Sequence, residues 1–384
     1  MSIDFTDILR IRNAACLRER VSGFTHDYYH YPARFSPLLA REIISTFTTP
    51  GDLVLDPFMG GGTTLVEAKL LGRHAIGFDV SSLSAFLTSV KINPPRARRF
   101  GELSRQFFTI ISKLNCHRAV PRPEDWISKG YQRNLSNRHT WPIRKLIEQL
   151  LFDIDSLQVG EYERNFLRCV ILKTCQWALD SRKDIPNTSS FKKKLMENYQ
   201  RMLSGARDFW KYNPTASTTI INKPAKEVHN CASLFPKLPR LVLTSPPYPG
   251  VHVMYHRWQI FGKRETPAPF WIANSMDGHG LSHYTMGDRH ERMLTTYFKN
   301  IEDSFRSIGT LCEKQTVIVQ VLAFSDVEWQ LPKYLATMHS AGFSEIEATT
   351  EKIWRDVPNR KWYAQQKGKI PSSREVILFH KLSG

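Results

Sequence analysis

The chain has 384 residues, of which 41% are hydrophobic and 23% are charged, and this is the composition of a globular protein with one large domain or two moderate ones. No run of about eighteen apolar residues is present, and the acidic, polar N-terminus lacks the features of a signal peptide, so we expect a cytoplasmic protein that does not contact a membrane. The formal net charge of +17 favours a polyanionic partner. The six cysteines form no Cys-x-x-Cys pair, so neither a zinc site nor a disulfide framework is expected.

A strand, a glycine-rich turn, a helix and a second strand are predicted between residues 49 and 80. Residues 52–56 are a short apolar stretch that ends in an acid, and the loop over 57–62 ends in three glycines. Residues 63–64 are threonines that can cap a helix stopping at Gly72, and the second strand, over 73–79, again ends in an acid. This unit is the arrangement of a nucleoside-binding half of a Rossmann-like fold.

The glycine loop does not match two common kinds of nucleotide site. No Lys-Ser or Lys-Thr pair follows the glycines, as a P-loop requires, and Leu65 stands where a dinucleotide fingerprint needs glycine. What remains is a turn that lets a small nucleoside-like ligand lie against the backbone. Asp79 is then placed to accept both ribose hydroxyls, because a carboxylate accepts two hydrogen bonds in parallel. The alternative for Asp79 is an ordinary acid at the end of a strand.

Residues 91–222 interrupt the α/β pattern with apolar residues at helical spacing. The stretch contains 24 Lys or Arg residues against 12 Asp or Glu residues, so it carries most of the positive charge of the chain. We interpret it as a large helical, basic insertion that binds nucleic acid, with a solvated helical subdomain as the alternative.

The α/β pattern resumes after the insertion. Four later segments are predicted as strands, namely 227–232, 240–244, 315–322 and 375–380. A helix is predicted around 331–340, because it ends at Ala341-Gly342. Together with the first half they predict an α/β protein with a doubly wound, mostly parallel sheet.

The segment over 244–248, Thr-Ser-Pro-Pro-Tyr, directly follows one of these strands. Its two prolines fix the backbone and remove two donors, which makes a rigid shelf at the carboxyl edge of the sheet, where open α/β folds bind ligands. The Ser245 hydroxyl and a neighbouring carbonyl can accept hydrogen bonds from an amino group, and the Tyr248 ring can stack on a base. The alternative is a Pro-Pro strand terminator without a chemical role.

Two further segments carry candidate functional residues. Five histidines between residues 250 and 290 have irregular spacing and no cysteine or acid that completes a ligand set, so no metal site is expected. Residues 355–363 are polar and basic, which predicts either a contact with DNA or a solvated loop.

Taken together, these segments resemble the DNA amino-methyltransferases, which methylate adenine N6 or cytosine N4. Residues 56–64, DPFMGGGTT, look like the cofactor loop of that family, and residues 244–248 are similar to its catalytic tetrad. Residues 31–37, YPARFSP, look like the segment that closes over the methionine end of the cofactor. Residues 230–232, Asn-Cys-Ala, stand where the family often has Gly-Asp-Ala beside the cofactor adenine. The resemblance covers roughly 25–90 and 225–380 and does not extend to the insertion.

The resemblance implies S-adenosyl-L-methionine as the cofactor and double-stranded DNA, with the target base flipped out of the helix, as the substrate. It implies that 1–90 and 223–384 form the catalytic domain. The basic charge of 91–222, and not the resemblance, predicts that this helical insertion recognises the DNA target. The implied catalytic residues are Ser245, Pro246, Pro247 and Tyr248. The implied cofactor contacts are Tyr31, Pro32, Ala33, Phe35, Asp56, Pro57, Phe58, Gly60, Gly62, Thr63, Asp79, Cys231 and Thr244.

The first residue of the tetrad indicates the target base. In the family a serine there leans to cytosine N4, whereas Asp or Asn leans to adenine N6. We therefore expect a site-specific cytosine-N4 enzyme of a restriction-modification system, with a cognate nuclease that acts on the same site without a stable complex. The alternatives are an adenine-N6 enzyme, an RNA guanine-N2 methyltransferase and a basic DNA-binding module without catalysis. Cytosine C5 chemistry is disfavoured, because none of the six cysteines follows a proline.

Overall fold

The computed structural model describes most of the chain, and the gaps matter for the site. The described residues are 4–17, 22–31, 36–250, 257–276, 284, 286–287, 291–346, 351–356 and 374–383. Their strands are β1 (Leu53–Asp56), β2 (His74–Phe78), β3 (Thr218–Ile221), β4 (Leu241–Thr244), β5 (Trp258–Ile260), β6 (Arg264–Thr266), β7 (Val317–Leu322), β8 (Phe343–Glu345), β9 (Ile353–Asp356) and β10 (Arg374–Leu382).

The helices lie before, within and after the predicted insertion. The α-helices are α1 (Phe5–Cys16), α2 (Pro37–Phe47), α3 (Thr63–Leu70), α4 (Ser82–Ile92), α5 (Phe100–Lys113), α6 (Glu124–Ser128), α7 (Trp141–Asp155), α8 (Glu161–Leu179), α9 (Thr188–Lys211), α10 (Ala268–Ala273), α11 (Thr295–Gly309) and α12 (Val327–Ser340). Short 3₁₀ helices span His26–Tyr28, Ala97–Arg99 and Ala225–Leu234. None of the helices in the described ranges combines the length and the apolar composition that a membrane span requires.

The main sheet is doubly wound and mostly parallel, as the sequence predicts. Its strand order is β3-β2-β1-β4-β7-β10-β8, with β9 paired to β10. The five strands from β3 to β7 run parallel. The chain leaves β1 toward β2 on one side and later returns to β4 on the other, so the carboxyl ends of β1 and β4 meet at the topological switch point, where ligands bind in open α/β sheets.

Three details of the sheet differ from the sequence prediction. The strand predicted over 227–232 is wrong, because Ala225, Val228 and Cys231 are buried at a spacing of three, which is the period of the 3₁₀ helix found there. The edge strand is instead β3, inside the range assigned to the insertion. The strand at the C-terminus is antiparallel, because β10 pairs with β9, the strand before it in the chain, as in a hairpin.

The predicted threonine cap of α3 is also wrong. The N-cap is Gly62, in the left-handed region at φ 75°, and the cap position makes no side-chain hydrogen bond. Thr63 and Thr64 lie within the first turn of α3, where both are buried. A glycine is needed at the cap because the chain turns there through a conformation that other residues rarely adopt.

The insertion helices share a hydrophobic core with the first half of the chain. One buried cluster joins α5, α7, α8 and α9 to Leu83, Leu87 and Val90 of α4, to Trp258 of β5 and to Phe270 of α10. Two further clusters lie on the sheet, one with α1, α2 and α3 and the other with α11 and α12. The helices between residues 100 and 211 therefore form a layer packed on the α/β core. The division of the chain at 91–222 stays a prediction.

Candidate active site

The glycine loop and the Thr-Ser-Pro-Pro-Tyr segment are joined by a buried hydrogen bond at the switch point. The Thr244 hydroxyl at the end of β4 donates to Asp56 Oδ1 at the end of β1, over 2.7 Å. The amide of Phe58 donates to the same oxygen at 3.2 Å. Burial raises the pKa of Asp56 to about 6. These two residues are 188 positions apart in the sequence, and the bond between them fixes the relative position of the two motifs.

Only glycines fit the turn of the loop. Gly60 and Gly62 have φ values of 47° and 75°, and a Cβ on Gly62 would lie 2.5 Å from Thr88 Oγ1. A buried lysine also contacts the loop, because Lys91 Nζ donates to the Gly61 carbonyl at 2.5 Å. The sequence alone did not indicate this contact. Lys91 is a late residue of α4, so that helix holds the loop from one side.

Asp79 lies where the sequence predicts it, next to the loop. Its Oδ2 accepts from the amide of Gly60 at 2.9 Å and its Oδ1 from the amide of Ser81 at 2.8 Å. Burial raises the pKa of Asp79 to about 6. Each carboxylate oxygen has two lone pairs, so both oxygens retain capacity for a ligand hydroxyl.

Tyr31 covers the glycine loop. A Cβ built on Gly60 would lie 3.2 Å from its ring, and one built on Gly61 would lie 3.1 Å from its own Cβ. Its hydroxyl is 3.0 Å from Ser84 Oγ on α4. Pro32, Ala33 and Phe35 of the same predicted closing segment lie outside the described residues.

The remaining predicted cofactor residues lie around this loop or in the core beneath it. Pro57 and Phe58 begin the loop, and the Phe58 ring packs 6.4 Å from that of Phe305. Thr63 is buried at the start of α3. Cys231 is also buried and belongs to the hydrophobic cluster on the face of the sheet that α11 covers.

The tetrad forms a short hydrogen-bonded shelf after β4. Ser245 Oγ lies 3.1 Å from the Tyr248 hydroxyl. Tyr297 of α11 donates its hydroxyl to the Pro247 carbonyl at 2.7 Å, and the Tyr248 hydroxyl donates to Glu375 Oε1 at 2.8 Å. Sequence reasoning missed Tyr297 and Glu375, because they lie 50 and 127 residues away from their partners and belong to no local motif.

The other candidate residues do not join this site in the described structure. His252, His256, His279, His283 and His290 lie outside the described residues. Within the described ranges no group of three or more His, Cys, Asp or Glu side chains is placed to hold a metal ion. Of the basic segment 355–363, residues 355–356 end β9 and the rest lies outside the described residues.

The backbone of the glycine loop and the carboxylate beside it suit the cofactor that the resemblance implies. The glycine loop presents backbone where a Cβ would crowd Tyr31 at Gly60 and Gly61 and would collide with Thr88 at Gly62. Asp79 beside it offers acceptors of the kind that two vicinal ribose hydroxyls need. The residues present therefore fit a nucleoside such as the adenosyl part of S-adenosyl-L-methionine.

Comparison with known proteins supports the same assignment. The family model described as DNA methylase matches residues 4–84. The Type II methyltransferase M.MjaII of Methanocaldococcus jannaschii is 36% identical over 67 residues, which is 17% of this chain and 13% of that protein. M1.MboII of Moraxella bovis is 45% identical over 65 residues, covering 17% of this chain and 25% of that one. M.MthZI of Methanothermobacter thermautotrophicus is 27% identical over 143 residues, covering 37% and 35%.

These matches are local. They span between 12% and 35% of the length of the curated relatives. Among solved structures, the rRNA methyltransferase aviRa from Streptomyces viridochromogenes aligns over 91% of this chain and 86% of that one at 11% identity and a TM-score of 0.35, which is too low to add to the fold assignment. The local matches confirm the resemblance of the sequence motifs to the DNA amino-methyltransferase family.

Proposed function

We propose that this protein transfers a methyl group from S-adenosyl-L-methionine to the exocyclic amino group of a base in double-stranded DNA, with cytosine N4 as the favoured target. The observation that carries the proposal is the hydrogen bond between Thr244 and Asp56, because it joins the cofactor loop to the tetrad and puts Ser245 one residue beyond the joint. The relatives named Type II methyltransferases support a DNA substrate.

The bound cofactor supplies an electrophilic methyl group, and the residues of the tetrad prepare the amine. An aromatic amine is a weak nucleophile, because its lone pair is delocalised into the ring. Acceptors that take both amino hydrogens favour a pyramidal nitrogen and hold it in line for transfer. We assign the two acceptors to Ser245 Oγ and the Pro246 carbonyl. The Pro247 carbonyl accepts from the Tyr297 hydroxyl, and this bond holds the shelf against α11.

The target base has to leave the duplex to reach this shelf. The tetrad lies at the carboxyl edge of the sheet, and in the proposal the ring of Tyr248 stacks on the flipped base. The positive charge of residues 91–222 provides the attraction for the DNA backbone, and target recognition is assigned to this stretch.

The choice of cytosine rests on Ser245 at the first tetrad position. Adenine N6 in DNA is the second candidate, and guanine N2 in RNA is a third, since a related Pro-Pro-Tyr shelf serves that reaction. The basic excess lies in an insertion of the chain and not in a separate module, which favours a DNA target over RNA. A nuclease that cuts the same DNA site, without forming a stable complex, belongs to the same proposal.

The proposal is tested by product analysis. The purified protein is incubated with radiolabelled cofactor and either genomic DNA or transfer RNA, and the product nucleosides are identified by mass spectrometry. N4-methylcytosine in DNA is the expected product. N6-methyladenine would overturn the cytosine assignment, and label in RNA alone would overturn the DNA substrate.

A pair of variants connects the product to the site. Ser245→Ala combined with Tyr248→Ala is expected to abolish transfer while the protein still binds cofactor in calorimetry. Ser112→Ala, on the exposed face of α5, is the matched control and should retain wild-type turnover. Unchanged turnover in the double variant would remove the tetrad from the mechanism.

A further inference from the structure

The tetrad is the end of a longer chain of polar groups that continues into β10 and β9. Ser245 Oγ lies 3.1 Å from the Tyr248 hydroxyl, and that hydroxyl donates to Glu375 Oε1 at 2.8 Å. The other carboxylate oxygen, Oε2, lies 2.8 Å from Arg355 Nε. Glu375 is only 1% exposed, so its charge is compensated by protein groups and not by bulk water.

The chemistry of these groups fixes the direction of the hydrogen bonds. A carboxylate paired with an arginine has no hydrogen to give and only accepts. The single hydroxyl hydrogen of Tyr248 therefore points to Glu375, and the Tyr248 oxygen can only accept in its contact with Ser245. It follows that Ser245 gives its hydrogen to Tyr248. The lone pairs of Ser245 Oγ are then left to accept from a base on the shelf.

We propose that Glu375, held by Arg355, is a positioning residue that makes Ser245 an obligate hydrogen-bond acceptor. The proposal rests on the proposed amino-methyltransferase function and deepens it. An amino group on the base can donate a hydrogen bond to this acceptor. A keto oxygen at the same position cannot donate, so two acceptor oxygens would face each other and repel. The chain of hydrogen bonds therefore selects an amino-bearing base such as cytosine over its keto counterparts, uracil and thymine.

The substitution Glu375→Gln tests the direction of the chain. The amide is nearly isosteric with the carboxylate but can donate to Tyr248, which turns the Tyr248 hydrogen toward Ser245 and the Ser245 hydrogen into the pocket. A donor that faces the amino group costs about as much as a lost buried hydrogen bond, so kcat on DNA should fall about 10- to 100-fold. The KM for the cofactor should change less than about twofold, because the effect of Glu375 is proposed to pass through Tyr248 to Ser245, which hold the base.

A double-mutant cycle separates this mechanism from a merely structural role. Tyr248→Phe keeps the ring and removes the hydroxyl through which Glu375 acts, and it should itself lower kcat about tenfold because Ser245 is no longer oriented. Adding Glu375→Gln to Tyr248→Phe should then lower kcat by less than about twofold more. If Glu375→Gln does not fold, Tyr248→Phe with wild-type kcat still overturns the proposal.

A matched control is the carboxylate of Glu345 at the end of β8, which is paired with Lys352, the residue before β9. Glu345→Gln should leave kcat within about twofold of wild type. An inactive wild-type protein on every nucleic acid would overturn the proposed function. An active wild type in which Glu375→Gln keeps its kcat, or lowers it equally with and without the Tyr248 hydroxyl, would overturn the positioning role alone.

Discussion

Replacing Thr244 by Val removes the hydrogen bond that joins the two motifs and leaves the shape of the side chain nearly unchanged. Asp56 is 2% exposed and Thr244 is fully buried, so water does not take the place of the lost hydroxyl. A hydrogen bond to a charged acceptor contributes about 1.5–3 kcal/mol, and one between neutral groups about 0.5–1.5 kcal/mol. We therefore expect Thr244→Val to lower the free energy of unfolding by about 2 kcal/mol when Asp56 is ionised.

The protonation state of Asp56 makes this cost depend on pH. Its pKa in the folded protein is about 6, against an ordinary value of 3.8. The folded protein therefore binds this proton more tightly than the unfolded chain does. The stabilisation from protonated Asp56 is complete below about pH 4 and is lost as the pH rises through 6. At pH 5 most Asp56 is protonated and neutral, so the cost of Thr244→Val should fall to about 1 kcal/mol, whereas at pH 8 it should be about 2 kcal/mol.

The measurement is urea unfolding followed by circular dichroism at pH 5 and pH 8, with the free energy taken from the midpoint and slope. Thr316→Val is the matched control, because Thr316 is buried and donates over the same 2.7 Å to a neutral acceptor, the Pro239 carbonyl. Its cost should be equal at the two pH values. Equal costs of Thr244→Val at both pH values would refute the role assigned to the Asp56 charge.

Three further predictions concern the loop, the cofactor and the insertion. Gly62→Ala should lower the free energy of unfolding by about 2–4 kcal/mol, since it combines left-handed backbone strain with a clash against Thr88, and Thr88→Ala should recover part of this loss in the same unfolding assay; no recovery would contradict the clash. The affinity for S-adenosyl-L-methionine in calorimetry should fall as the pH drops below about 6, where Asp79 gains a proton, and Asp79→Asn should bind more weakly without this pH dependence. Replacing Lys192 and Lys193 of α9 by Gln should lower the slope of log affinity for DNA against log salt by about 1 for each lost phosphate contact, and an unchanged slope would remove this part of α9 from the DNA interface.

The strand, turn and helix around the glycine loop could be predicted because each step depends on neighbouring residues. Gly60 and Gly62 allow backbone angles that other residues disfavour, and acids at the ends of two apolar strands mark where those strands stop. In the structure, Asp56 and Asp79 both accept hydrogen bonds from the loop backbone, from the amides of Phe58 and Gly60 respectively. A pattern of this length carries enough local information to define its own geometry.

The edge of the sheet could not be predicted in the same way. β3 has four residues and lies directly after the insertion helices, so its short β-branched run was counted with them. The 3₁₀ helix over Ala225–Leu234 has its buried residues three apart, and six residues of such a pattern resemble a short strand. The antiparallel direction of β10 depends on its pairing partners, which no local pattern encodes.

The residues that complete the site were invisible for a related reason. Tyr297, Glu375 and Lys91 each reach the site by contacting a segment distant in the sequence. The local sequence around each of them shows only the amphipathic or apolar pattern of its own helix or strand. A buried glutamate at the start of a strand and a buried lysine late in a helix are the available signals. Either would be read from sequence alone as an exposed charge, because charged residues are rarely buried unless they are paired.

The predicted boundary at residue 90 marks a change in sequence pattern, but the hydrophobic core continues across it. The sequence changes there from an α/β pattern to a helical one. Helix α4 nevertheless makes contacts on two of its faces. One face contacts the glycine loop through Thr88 and Lys91, and the other contributes Leu83, Leu87 and Val90 to the core of the insertion helices. Interiors are close-packed and resist displacement, so the position of the loop is set by the basic helical layer as well as by the sheet. The glycine loop and the positively charged layer are therefore parts of one packed unit, joined through α4.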